Sequence, residues 1–446
     1  MSSVGDKKIE NYLNSVCSLV KNKRVHENIR EELLSHIDEI IENKVSQGKS
    51  EKTAIEEAIA QMGDYNIVGT KLNKVHKATP DWMLLAMMGT LILVGIITLF
   101  SMREMANYSY GNPYFLINKT IVHVVIGMLI GFIVIRCDYR LLKRYSKITY
   151  VMGVLTLLLL IIIGTPVYGI KSFLRIGSIS INALALSQVF FVVSLAGIFE
   201  NYNWSSKKNI LIGLLIGFIP SILFLLTPSL TSAVIYIVAI SIIMITSGLR
   251  IRYLVSFMGA ITLTFICWIF NQPYRINRLL ELFSFKGNDI NNVMYGFIYE
   301  RLNTIRNSSK LLGQGGQLVQ NLLPEVNTDF ILVYIIYSFG WVVAIMLITL
   351  IIGFIVRIYF VGIKTKDKYG KLIVIGFCSI MSIQFLLNIL INLNLAPYFS
   401  IPMPFISYGE SNLVINIITI ALIISVCKWR NTPYTEKKNS ILRKIL

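Results

Sequence analysis

The chain has 446 residues, 54% of them hydrophobic and only 15% charged, against about 25% charged in ordinary soluble domains. Its formal net charge of +18 does not point to nucleic acid, because residues 1–80 balance 12 basic against 12 acidic side chains; the excess lies in the apolar remainder, in short loops. Five cysteines (Cys17, Cys137, Cys267, Cys378 and Cys427) are scattered with no CxxC or Cys/His cluster, so neither a disulfide framework nor a zinc site is indicated.

Residues 1–78 read as a small cytoplasmic helical domain. Ile9, Tyr12, Leu13 and Val16 recur at helical spacing, and Ile29, Leu33, His36, Ile37, Ile40 and Ile41 form a second stripe with charges opposite. Gly48 closes that second helix, Ser50 caps a third, and Gly63 ends it. The segment is too polar to span a membrane, and its stripes suit a three- or four-helix cluster.

Apolar runs then recur at 82–102, 119–135, 148–164, 181–199, 209–226, 230–247, 252–270, 329–356, 372–392 and 408–427, each near the length that crosses a bilayer. The expected fold class is therefore all-α: a polytopic membrane protein of about ten transmembrane helices over residues 79–430. Loops on one side, with the basic tail at 431–446, carry 20 Lys and Arg, whereas the short segments opposite carry only Arg103, Lys119, Lys171 and Arg175. The positive-inside rule then places both termini in the cytoplasm. It also places the one large loop, 271–328, outside, ahead of the eighth span; YGFIYERLNTI within it suits an interfacial amphipathic helix.

The stretch LLPEVNTDFILVYIIYSFGW (322–341) sets Asp329 at the edge of an apolar run. Ionisable groups at such positions are rare and are functional candidates by default. The outer acidic candidates are Glu104, Glu281, Asp289, Glu300, Glu325, Asp329 and Glu410; the basic ones are Lys119, Lys171, Arg175, Arg275, Arg278, Arg301, Arg306 and Lys310. A cationic vestibule around one or two carboxylates suits a pyrophosphate-bearing substrate, with one carboxylate as proton acceptor. Structural readings stand beside these. Asp329 or Thr328 caps a helix, Lys119 and Arg103 snorkel, Glu410 pairs with a loop base, and His123 only packs. Pro397, Pro402 and Pro404 mark an irregular entry to the last span.

The motifs carry a resemblance. IPMPFISYGESNL at 401–413 and LLPEVNTDFI at 322–331, with GNPYFLINK (111–119), CDYRLL (137–142), GIKSFLRIGSIS (169–180) and QPYRINRL (272–279), are similar to the SEDS family of shape, elongation, division and sporulation proteins, the FtsW, RodA and SpoVE type. REELLSHIDEIIE and AIEEAIAQMGD resemble the permease-prefix, or HAAS-type, domains of other membrane proteins. The SEDS resemblance implies a peptidoglycan glycosyltransferase that polymerises lipid II outside the cell membrane, in cell division, cell-shape control or sporulation. It implies a class B penicillin-binding protein as partner and no nucleic acid. Asp329 would be the general base. Lys119, Lys171, Arg175, Glu325, Thr328, Ser407, Tyr408 and Gly409 would line the substrate site, with room for a divalent cation (Mg or Mn) at the pyrophosphate. Two alternatives stay open: a non-catalytic lipid II transporter, and a degenerate scaffold regulated through the prefix domain. Departures from the family pattern are Asn327 for its histidine, Tyr337-Ser338 for Glu-Glu, Asn182 to Ala185 for QPSE, Thr227 to Ala233 for QPDLGTA, and Glu410 for its second glycine.

Overall fold

A computed structural model describes residues 3–75, 79–167, 170–177, 179–270, 293–315 and 323–430. Glu281, Asp289, Arg275, Arg278, the QPYRINRL stretch and the tail at 431–446 lie outside the described residues. The chain divides into two units, one of residues 1–80 with 428–446, the other of residues 81–427.

In the first unit, α1 (Ser3–Leu19), α2 (His26–Ser46), α3 (Glu51–Met62) and α4 (Tyr65–Val75) follow one another. Ile9, Tyr12, Leu13 and Val16 bury against Ile29, Leu33, Ile37 and Ile41, as their spacing requires. His36 is exposed, because the buried stripe narrows to every fourth residue and leaves it to one side. The Ser50 hydroxyl accepts from the Thr53 amide at the start of α3 (3.3 Å), and Tyr12 donates to the Gly63 carbonyl at its end (3.1 Å).

The second unit runs α5 (Trp82–Ser101), α6 (Arg103–Tyr110), α7 (Phe115–Arg136), α8 (Arg140–Arg144) and α9 (Ser146–Ile163). Next come β1 (Thr165–Val167), β2 (Ile170–Ile176), β3 (Ile179–Asn182), α10 (Ala183–Phe199), α11 (Lys207–Leu226), α12 (Leu230–Thr246) and α13 (Ile251–Phe270). The last elements are α14 (Val293–Ser308), α15 (Ile331–Phe339), α16 (Trp341–Lys364), α17 (Lys368–Asn392) and α18 (Glu410–Trp429). Among the described residues, α5, α7, α9, α11, α16, α17 and α18 are long and apolar enough to cross a membrane. The shorter apolar helices α10, α12 and residues 251–267 of α13 stand at three more of the expected spans. The protein is a multi-pass membrane protein. Exposed apolar side chains such as Ile121, Val125, Leu129 and Phe132 on α7 face where lipid would cover them. The interior centres on α10, α12 and α17; Phe191 of α10 makes edge contacts with Tyr150, Phe224 and Tyr236.

Two features depart from an all-α chain of continuous spans. Between α9 and α10 the chain forms an antiparallel sheet of order β1-β2-β3, in which β2 and β3 register from Phe173↔Asn182 to Ile176↔Ile179. The expected eighth span is also broken: α15 ends at Gly340, whose φ is 94° and ψ 166°, and α16 starts afresh. The backbone groups freed by the break are taken up by residues 310–315. Trp341 and Val342 donate to the carbonyls of Lys310 and Leu311 (both 3.3 Å), and Gln314 donates to the Tyr337 carbonyl (3.2 Å). In a membrane such groups have no water to turn to.

Only glycine fits position 340. A Cβ there would lie 2.2 Å from the Leu311 carbonyl oxygen, at a φ that L-residues rarely adopt. Gly340→Ala is expected to destabilise the protein by roughly 2 kcal/mol or more, read as a lower melting temperature in detergent, whereas Gly89→Ala, whose Cβ meets nothing within 4 Å, leaves it unchanged.

Candidate active site

Ahead of α15 the chain makes a run of tight turns at 324–330. Glu325 reverses it with a φ of 53°, a conformation that costs about 1–3 kcal/mol in a non-glycine residue. Its carbonyl accepts from the amides of Thr328 (3.1 Å) and Asp329 (3.0 Å), and its Oε2 from the Thr328 hydroxyl (2.8 Å). Thr328 and Glu325 thus hold each other in the turn.

Asp329 is fixed through its backbone. Its carbonyl oxygen accepts from Nδ2 of both Asn388 (3.0 Å) and Asn392 (2.9 Å), each about 1% exposed near the end of α17. Asn388 also donates to the Ile401 carbonyl (2.7 Å), and Asn392 Oδ1 accepts from the Val333 amide (3.0 Å). Two side chains one helical turn apart therefore tie the turn, the start of α15 and the 401 segment together.

The Asp329 carboxyl caps no helix. The cap residue of α15 is Phe330, without a side-chain bond, and Asp329 Oδ2 instead accepts from the Tyr398 hydroxyl (2.9 Å). The Tyr398 ring stacks on Phe330, centroids 5.1 Å apart. Oδ1 is buried without a hydrogen-bond partner among the described residues. Asp329 lies ahead of α15, outside the membrane-spanning helices. Burial pushes its carboxyl up to about 6, Ser400 and Tyr398 pull it down, and Glu325 adds a smaller upward push.

The segment before α18 is joined to this turn. The Ser407 hydroxyl donates to the Thr328 carbonyl and accepts from the Met403 amide (2.8 Å), and the Tyr408 amide donates to the Asn327 carbonyl (2.8 Å). Phe405 has a φ of 65°. A Cβ on Gly95 of α5 would lie 2.8 Å from the Ile406 carbonyl oxygen, so that glycine lets the helix back onto the segment. Gly409 immediately precedes α18, its carbonyl accepting from the Leu413 amide (3.0 Å).

Glu410 gathers a second polar cluster. Its Oε1 accepts from the Tyr408 hydroxyl (3.0 Å) and lies 3.7 Å from Lys119 Nζ, while Oε2 lies 3.9 Å from His123 Nε2. Burial first, and then the Glu410 charge, holds the Tyr408 hydroxyl above its ordinary range. Glu410 does pair with a base, and His123, expected only to pack, faces that carboxylate. Lys119 does more than snorkel: it has a counter-ion.

Of the expected site residues, Asp329, Glu325, Thr328, Ser407 and Tyr408 come together, Gly409 follows them, and Lys119 joins through Glu410. Lys171 and Arg175 do not join. Lys171 donates to the Ile161 carbonyl in the last turn of α9, where a cation suits the exposed carbonyls, and Arg175 is exposed in β2 across from Ser180. Neither makes a described hydrogen bond or ion pair to the Asp329 turn. Their sheet does reach α18, where the Asn182 amide donates to the Ser411 hydroxyl (2.9 Å). The residues that sequence reasoning missed are Asn388, Asn392 and Tyr398. The asparagines carried a readable signal: two amides four apart on one face of an apolar helix. Among the described residues, no group of three or more His, Cys, Asp or Glu side chains is placed to hold a metal ion.

The profile of the FtsW, RodA and SpoVE family, described as a cell cycle protein, matches residues 81–432. The chain is 25% identical to stage V sporulation protein E of Bacillus subtilis (strain 168), over 79% of this chain and 98% of that one. It is 23% identical to the probable peptidoglycan glycosyltransferase FtsW of Coxiella burnetii, over 77% and 95%. Its fold is shared with a chain of a peptidoglycan synthase complex that coordinates polymerization and crosslinking (TM-score 0.66, 20% identity, 79% and 98% covered). It is shared too with the rod shape determining protein RodA of Thermus thermophilus (TM-score 0.59, 18% identity, the same coverage). From α5 to the end of α18, the chain belongs to the FtsW/RodA/SpoVE family.

Proposed function

We propose that this protein is a peptidoglycan glycosyltransferase that polymerises lipid II at the outer face of the cell membrane, in cell division, cell-shape control or sporulation. The observation that carries the reading is Asp329, whose backbone carbonyl is held by Asn388 and Asn392 and whose carboxyl accepts from Tyr398, in the family's TDF motif, with that carboxyl shifted towards neutral pH. A base works best with a pKa near the operating pH. A lipid II transporter needs no such group. Asp329 takes the proton of the acceptor sugar hydroxyl as that oxygen displaces undecaprenyl pyrophosphate from the donor, with inversion. Lys119, at the rim, faces the leaving anion. Among the described residues no cluster of carboxylates offers Mg or Mn a cage, and no step is routed through one. The excess of basic residues in the loops opposite the site supports cytoplasmic termini, with the prefix domain inside. The likeness to a chain of a peptidoglycan synthase complex supports a class B penicillin-binding protein as partner.

Asp329→Asn keeps the volume and the backbone clamp and removes the base. Glycan-strand formation from lipid II with the partner present is expected to fall about 10²- to 10⁴-fold, while the variant stays folded by size-exclusion and melting temperature; an undiminished rate sinks the assignment. The pH dependence has a definite sign. The base works ionised, so with a pKa near 6 about a tenth is active at pH 5 and about nine-tenths at pH 7; kcat should climb through pH 6 and level off above 7. Glu410→Gly removes the counter-ion of Lys119. The KM for lipid II is expected to fall about two- to fivefold, the worth of a partly exposed ion pair, with kcat little changed.

A further inference from the structure

Arg306 stands among the outer cations that would suit a phosphate-bearing substrate, yet both ends of its guanidinium are engaged within the protein. Nη1 donates to the Leu393 carbonyl (2.9 Å), and Nη2 donates to Asn303 Oδ1 one turn back on α14 (3.0 Å). Leu393 is the cap residue of α17 and follows directly on Asn392, whose amide holds the Asp329 carbonyl. The cation therefore acts one residue from the clamp on the proposed base.

The way α17 ends explains why an arginine suits this place. Asn394 takes a φ of 58°. Its amide bonds back to the Ile391 carbonyl (2.9 Å), and that of Leu395 reaches the Leu390 carbonyl (2.8 Å). This Schellman closure satisfies two of the last carbonyls of the helix. The Leu393 carbonyl lies beyond the pattern and takes its donor from Arg306, at a helix end where positive charge is favoured. The Asn394 side chain returns the contact, donating to the Tyr299 carbonyl of α14 (3.4 Å). Along α14, Ile298, Leu302 and Ile305 are buried, and the helix packs against α15. It thus bridges the two helices between which the Asp329 turn is tied.

We propose that Arg306 is a positioning residue for Asp329: by fixing the last turn of α17 it sets where Asn388 and Asn392 hold the Asp329 backbone, and so where the carboxyl meets an acceptor hydroxyl. The proposal rests on the reading of Asp329 as the base. Displacing a catalytic group by about 1 Å can cost on the order of 10²-fold in rate. Position also governs burial. Burial is the largest influence on the carboxyl; Ser400, Tyr398 and the Ile401 amide act against it, and Glu325 is the one charged side chain among the groups that act on it. A looser helix end admits water to the carboxyl and lowers its pKa, so the acid limb of the pH–rate profile moves to lower pH.

Arg306→Met in the full chain keeps a long side chain and removes every donor. With the partner present, its kcat for lipid II polymerisation is expected to fall about 10- to 100-fold at unchanged KM, with the acid limb moved to lower pH. Arg306→Lys keeps the charge and one donor for the Leu393 carbonyl, and should recover most of the rate and restore the acid limb. A raised KM with kcat intact makes Arg306 a substrate ligand and overturns the proposal. A lower melting temperature with wild-type kcat and acid limb makes its role merely structural and overturns it too. Should the methionine variant not fold, Arg306→Gln, with one neutral donor, is expected to shift kcat and the acid limb the same way by less; wild-type values for both overturn the proposal. Asp329→Asn with wild-type activity overturns the underlying reading instead.

Discussion

The site depends on one carbonyl group. The Asp329 carbonyl oxygen lies in a turn that regular secondary structure does not satisfy, within a protein whose surroundings are apolar. Two asparagine amides supply what water would supply elsewhere. An unpaired buried backbone group costs about 1–3 kcal/mol, so the turn, α15 and α17 settle together or not at all. The positive φ angles of Glu325 and Phe405 are tolerable because this framework over-determines the backbone around them. The two asparagines locate the residue through its backbone, so the Asp329 carboxyl is not needed to hold the turn.

The departures from the family pattern have been absorbed into structure. Where the family has Glu-Glu, the Tyr337 carbonyl takes the Gln314 amide, and the Ser338 carbonyl takes that of Gly315. Where it has the aspartate of QPDLGTA, Ser229 caps α12, accepting from the Ser232 amide. Asn182 caps α10 in place of the QPSE element. Glu410 adds a negative charge beside Lys119. The substituted positions thus serve as local caps and backbone bonds, and the Asp329 carboxyl is pushed upward mainly by burial, with a smaller contribution from Glu325.

Much of the fold could be read in the residues because membrane spans write themselves in composition. The prefix helices announce their stripes and caps, and the apolar runs mark α5, α7, α9, α11, α17 and α18. What stayed hidden has physical reasons. The period-two pattern of β2, Lys171-Phe173-Arg175 against Ser172-Leu174, is short and sits between two stronger helix signals. The break at Gly340 needs only one residue and leaves the hydropathy of 329–356 unchanged. At the candidate site, Asp329, Thr328, Ser407 and Tyr408 lie in motifs, and the structure brings them together. Tyr398 lies in a segment whose composition suggests only an irregular turn, and its role depends on a contact 69 residues away in sequence. Lys171 shows the converse: a cation on the expected side of the membrane that serves a helix end.

The break at Gly340 has a mechanical consequence. Residues 310–315 are bonded to both halves of the interrupted helix, which couples this part of the long loop to the short helix that follows Asp329. Pulling that loop away would strand several backbone groups in an apolar setting. A displacement of residues 310–315 would therefore be passed to the helix that follows Asp329 without touching the carboxyl itself.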